Sequence, residues 1–314
     1  MCSSDLPDAS LASVASRGGL AGSVRVDQTP PMTELMEYEA EQVAAANASG
    51  RPPVVFVHGL WLLPSSWDRW AEVFQAAGFS TVTAGWPDDP NSVDEANRHP
   101  EVFARKSVQQ VADHVEAVIR ELRQRTAVVG HSFGGLLTEI LAGRGCSDAS
   151  VAISPAPHRG VLPLPVSALR SSSPVLRNPR NHGRAVPLTY EQFRYAFANA
   201  VSEDEAHELY NTYAVPAAGL PLFQAATANL NPWTEVKVKT KSPDRGPLLI
   251  IAGAEDHTVP WSICNSSYKR ERRNKDAVTE IVELEDRGHA LTIDHGWRKV
   301  ADTALQFVRR FVKP

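Results

Sequence analysis

The 314-residue chain is 43% hydrophobic and 22% charged, long enough for one large α/β domain or two modest ones around a sizeable core. A net charge of −4 gives no basis for a nucleic-acid or anionic-membrane partner, and no run of about 18 apolar residues is present to span a bilayer. The three cysteines, Cys2, Cys146 and Cys264, are odd in number and far apart, which argues against a disulfide framework or a zinc-ligating pair and fits a reducing compartment.

Residues 1–31 read as a disordered leader without the charged-then-apolar pattern of a signal peptide, so a cytoplasmic location is expected. The opening Met1-Cys2-Ser3-Ser4-Asp5-Leu6 resembles a translated sequencing adapter, which would place the natural start at Met32. Met32 to Ala48 has a helical pattern that ends at Arg51-Pro52-Pro53. Val54 to Val57 is a continuous apolar run bounded by proline and glycine, as in a strand buried on both faces. A helix with a cap-like start is predicted from Ser65 to about Gly78, then a short strand over Ser80 to Ala84. Lys106 to Arg123 carries valines and leucines at helical spacing, Ala127 to Val129 is a third strand, Gly134 to Gly143 a helix and Val151 to Ile153 a fourth strand.

The alternation then breaks. Residues 158–244 form an insertion, rich in proline, serine and arginine before it turns helical over Thr189 to Ala200 and Ser202 to Tyr213, each opened by a capping-box pattern. It is too long for a plain loop and reads as a helical lid or cap. Leu248 to Ile251 and Thr279 to Leu284 resume the strands, with helices over Trp261 to Arg273 and His295 to Phe311. The basic run from Lys269 to Lys275 reads as a solvated helix face. Buried strands alternating with helices predict an α/β fold, its mostly parallel sheet of about six strands covered by helices on both faces. The core would comprise residues 32–157 and 245–314.

The chemistry concentrates at strand ends. Gly130-His131-Ser132-Phe133-Gly134 follows a buried strand and opens a helix, the context in which a Gly-x-Ser-x-Gly sequence acquires meaning. His58-Gly59-Leu60-Trp61 closes the first strand, and its amides, Leu60 first among them, with that of Phe133 make a candidate oxyanion hole. Asp256 and His289 follow the last two strands, where open α/β sheets place active sites, with the adjacent Glu255 as an alternative acid. No His/Asp/Glu cluster has metal-ligand spacing, and no phosphate-binding glycine motif is present.

These four motifs, in this order, resemble the α/β-hydrolase superfamily over roughly residues 52 to 312, most nearly its lidded esterase, lactonase and haloperoxidase-like members. The resemblance implies Ser132 as nucleophile, His289 as general base and Asp256 as the residue orienting it, with no cofactor. Many members begin with an antiparallel hairpin, whereas residues 32–50 here read as helix. Apolar Trp61 and the insert's Phe193 and Phe197 suggest contacts to a hydrophobic ester, with His58 and His131 shaping the site. Arg159, Arg170, Arg177 and Arg180 are weaker candidates for an anionic substrate group. The expected activity is hydrolysis of an ester-type bond in a small to medium hydrophobic substrate. Perhydrolase or lactonase chemistry with the same three residues is an alternative, as is a catalytically weak ligand-binding relative.

Overall fold

The computed structural model describes residues 35–314, and the expected leader lies outside them. In chain order the elements are α1 (Glu37–Ser49), β1 (Pro53–Val57), α2 (Asp68–Ala76), β2 (Ser80–Ala84), α3 (Val93–Arg98), α4 (Val108–Arg120), β3 (Ala127–His131), α5 (Phe133–Gly143) and β4 (Ala149–Ile153). The segment between β4 and β7, expected as an insertion, forms α6 (Val166–Leu176), β5 (Ala185–Val186), α7 (Tyr190–Ala196), α8 (Glu203–Tyr213), β6 (Ala217–Ala218) and α9 (Leu220–Thr227). The chain closes with β7 (Leu248–Gly253), α10 (Trp261–Glu271), β8 (Thr279–Leu284) and α11 (Trp297–Arg309). Among the described residues no helix is long and apolar enough to cross a membrane.

Six strands make one sheet in the order β2-β1-β3-β4-β7-β8, and every pairing in it is parallel. The pleat explains the apolar runs. Val55, Val57 and Val128 point to the side covered by α4 and α5, while Val54, Phe56 and Val129 point to the side covered by α2 and α11. On that second side Phe56, Trp67, Trp70 and Phe74 stack and cross at 5.0–6.5 Å between ring centroids. Residues of the insertion, Phe193 and Ala196 among them, belong to the same apolar cluster as Val55 and Leu136.

The helix expected in place of an N-terminal hairpin is present as α1, and it does the work of a missing edge. Gln42 Oε1 accepts the Thr83 N–H at 2.7 Å, and Glu39 Oε1 accepts the Gly85 N–H at 3.0 Å. The outer amide of Thr83 in β2 and that of Gly85 just past it are thereby satisfied by side chains, which blunts part of an otherwise exposed edge. Glu39 is fully buried, and its carboxyl group lies 2.9 Å from His114 Nε2 of α4.

Several boundaries differ from expectation for identifiable reasons. Ser65 does not cap a helix: Pro64–Trp67 forms a 3₁₀ turn led by proline, and α2 starts at Asp68. The box at Thr189 and Gln192 forms, whereas at Ser202 only half does, because the Glu205 carboxylate turns to His295 at 2.6 and 2.8 Å. The α7 helix stops at Ala196, where the Arg194 guanidinium takes up the carbonyls of Ala198 and Val201. The basic run is not wholly solvated, since Glu271 in its middle is fully buried.

Candidate functional site

The site is assembled at the carboxyl ends of β1, β3, β7 and β8. Between β3 and α5 the chain turns so sharply that Ser132 holds φ 58 and ψ −119, a conformation non-glycine residues adopt only when the surroundings enforce it. The enforcement is visible: Ser132 N donates to Ile153 O at 2.9 Å, and Ser132 O accepts from Ala156 N and Leu136 N. The turn also needs backbones in contact. A Cβ on Gly134 would collide with the Val57 carbonyl, and one on Gly130 with that of Gly134. Gly134→Ala should therefore lower stability by roughly 3 kcal/mol or more. Urea unfolding would show it, and an unchanged midpoint would mean that the β1 to α5 contact is looser than described.

Three residues far apart in sequence meet here. His289 Nε2 is 3.0 Å from Ser132 Oγ, and His289 Nδ1 is 2.8 Å from Asp256 Oδ2. The other Asp256 oxygen accepts the N–H groups of Thr258 and Val259, both at 2.8 Å. Burial works to raise the Asp256 carboxyl. His289, by charge and by hydrogen bond, outweighs it with help from the Val259 amide, so the carboxyl is held below its ordinary range. Glu255, the alternative acid, is exposed and directs only its backbone inward, where its carbonyl accepts from Asn199 Nδ2.

The remaining candidates divide. Trp61, 6% exposed, lines a cavity of about 120 Å³ that opens on Ser132, walled also by Phe133, Leu164, Leu169, Leu222 and Ile263. Phe193 and Phe197, expected at the substrate, do not line it. Their rings stack at 5.0 Å inside the insertion, and Phe197 meets the His289 ring edge-on at 4.9 Å. His58 is likewise withdrawn, held between Asp89 Oδ2 and Gly59 O at 2.8 Å each. His131 lies 4.7 Å from the His289 ring, and among the described residues neither of its nitrogens has a hydrogen-bond partner. Burial first, and the neighbouring His289 second, push its pKa well below the usual value, so its imidazole stays neutral.

None of the four arginines lines the cavity. Arg170 lies over the Tyr195 ring at 3.9 Å, Arg177 lines a separate cavity with it, and Arg159 donates to Pro232 O. A larger cleft, about 590 Å³, is lined by Glu37, Glu41, Asp88 and Asp89 and reaches none of Ser132, Asp256 and His289. Asp89, the wall residues Leu164 and Leu169, and the loop contacts of Asn199 are features that sequence patterning misses. Each works through a partner tens of residues away, and no local spacing marks it.

A family model described as the alpha/beta hydrolase family matches residues 54–303. This chain belongs to the alpha/beta hydrolase family. The match takes in Ser132, Asp256 and His289 together with the loop after β1. A search of curated proteins returns no match. Among solved structures, this alpha/beta hydrolase is similar to a monoacylglycerol lipase from Paleococcus ferrophilus, with a TM-score of 0.56 and 20% identity over 83% of this chain and 96% of that one. It is similar to a methylesterase from Arabidopsis (TM-score 0.57, 15% identity, 82% and 99% covered). A thioesterase domain from the curacin biosynthetic pathway also matches (TM-score 0.53, 17% identity, 82% and 92% covered). At these identities the likeness is one of fold.

Proposed function

We propose that this alpha/beta hydrolase is a serine esterase that cleaves small to medium hydrophobic esters through an acyl-enzyme. The observation that carries the reading is the hydrogen-bonded line from Asp256 through His289 to Ser132, opening on an apolar cavity. Asp256 accepts from Nδ1, which fixes the proton there and leaves the Nε2 lone pair facing the Ser132 hydroxyl. Ser132 Oγ attacks the ester carbonyl as Nε2 takes its proton. The oxyanion then accepts from the amides of Leu60 and Phe133; the latter is the first residue of α5 and so has no partner within the helix. Nε2 returns the proton to the departing alcohol, and the acyl-enzyme is released by water that the same imidazole activates.

In this reading the insertion is a cap, since Leu164 just before α6, Leu169 within it and Leu222 from α9 line the cavity. Hydrophobic walls with few polar fixtures suit an acyl or aryl group. The test is a p-nitrophenyl ester series of increasing chain length. Turnover should rise to an optimum and then fall. Ala225→Phe, which narrows the wall, should move that optimum to shorter chains and change the long-to-short preference by roughly 10- to 100-fold in kcat/KM. If no ester in the series turns over, the esterase reading fails. An unmoved optimum in the Ala225 variant would place the acyl group elsewhere.

A further inference from the structure

Outside the cavity, three buried side chains from distant stretches of the chain converge. Glu139 lies on α5, Glu271 ends α10, and His158 sits in the segment leaving β4. Glu139 and Glu271 are fully buried and His158 is 1% exposed. One carboxylate oxygen from each Glu and one His158 nitrogen lie within 4.8 Å of one another.

The hydrogen bonding of this group does not close. His158 Nδ1 is 3.0 Å from Arg159 O, and a carbonyl only accepts, so Nδ1 carries the proton and Nε2 presents a lone pair. Among the described residues that Nε2 has no hydrogen-bond partner, nor has Glu139 Oε2, nor either oxygen of Glu271. Ser267 Oγ serves the other Glu139 oxygen at 2.5 Å. Arg245 Nε is 3.5 Å from Glu271 Oε2, while its two Nη groups donate to Gly246 O and Thr279 Oγ1. Arg245 Nε and Arg270 Nε are themselves buried donors without a partner among the described residues, and neither completes a hydrogen bond to the orphaned acceptors.

With both carboxyls ionised, acceptors face acceptors in a buried space, an arrangement that costs free energy unless a proton or a cation meets them. One proton shared by the two carboxyls would leave His158 unmet, whereas two protons would close the group, one carboxyl donating to the other and that one to Nε2. A water has two hydrogens for three acceptors. A divalent cation meets all three at once.

We propose that Glu139, His158 and Glu271 form a structural site for a first-row divalent cation, zinc or manganese. An imidazole nitrogen with two carboxylates suits those ions better than calcium, which takes oxygen ligands. Bonds of about 2.0–2.2 Å put ligand atoms up to about 4.4 Å apart, so the present spacing closes with small side-chain shifts. The ion would fasten α5, which begins beside Ser132, to α10 and to the root of the insertion. The proposal stands independently of the esterase reading.

The experiment strips the full-length chain with a chelator and dialyses it against Zn²⁺, Mn²⁺ or Ca²⁺. Bound metal is then counted by mass spectrometry and melting followed by calorimetry. Zinc or manganese should be retained at one equivalent and raise Tm by about 5 °C at a hundredfold excess over Kd. Calcium should do neither. The double variant Glu139→Gln with Glu271→Gln should bind at least tenfold more weakly and lose the Tm shift. A parent that retains no equivalent and shows no shift overturns the proposal, and that result needs no variant. So does a folded double variant that keeps the equivalent. A double variant more stable than a parent that takes up no metal would assign the cluster to a shared proton instead.

Discussion

Ser132→Ala should reduce kcat/KM on p-nitrophenyl esters by roughly 10⁴- to 10⁶-fold, leaving only what binding and the oxyanion donors supply. The substitution removes one atom whose hydrogen bond is to His289 Nε2. The turn around it is held by backbone bonds from Ser132 N and to Ser132 O, which alanine keeps. Stability should change little, so loss of activity would report chemistry and not folding. Affinity for a non-hydrolysable ester analogue should persist within a few-fold. Full activity in the variant would mean that another group attacks the carbonyl, and the mechanism above would be wrong at its first step.

Asp256→Asn should lower kcat by about 10⁴-fold while the fold stays intact. The reason lies in which oxygen does what. Oδ1 accepts from two amides, Thr258 and Val259, so the amide oxygen of asparagine is held on that side. Its NH₂ group must then face His289 Nδ1, which has to become the acceptor. The ring proton moves to Nε2, and an imidazole donating toward Ser132 Oγ cannot take its proton. A loss of tenfold or less would show that His289 finds its tautomer without Asp256. The same substitution changes the acid limb of stability. A carboxyl held low in the folded state adds stability fully present above the unfolded aspartate pKa of about 3.9 and lost as pH falls through the folded value. The Asn variant should lack that component, so its unfolding free energy should fall less steeply below pH 4.

The six-strand sheet was legible because parallel strands buried on both faces leave unbroken apolar runs such as Val54 to Val57 and Leu248 to Gly253. The positions of Ser132, Asp256 and His289 could be read for a related reason: each follows such a run, in loops whose glycines are fixed by close packing. The insertion was less legible. Its α6 is built from serines and contains Pro174, a composition that reads as loop until Val175 is packed into the core. Phe193 and Phe197 mark the weakness of inferring a pocket from aromatic content, since their stacking fills the insertion's own interior. Glu271 shows the limit in the charged direction. Nothing in a run of basic residues indicates which member turns inward, because that depends on α10 packing against β7 and β8, with Ser267 bonded to Glu139 of α5.

The segment just after α7 is bonded to both polar loops. Ala290 N donates to Phe197 O at 2.9 Å, Asn199 Nδ2 to Glu255 O at 2.6 Å, and Thr258 Oγ1 to Ala196 O at 2.6 Å. Residues 196–199 are therefore a shared bearing for the histidine loop and the aspartate loop, supplied by the part of the chain that also encloses the cavity. Exchanging the whole segment between β4 and β7 would remove that bearing along with the cavity walls. Exchanges confined to α6 and α9 would leave it in place, which makes those two helices the separable parts of the enclosure.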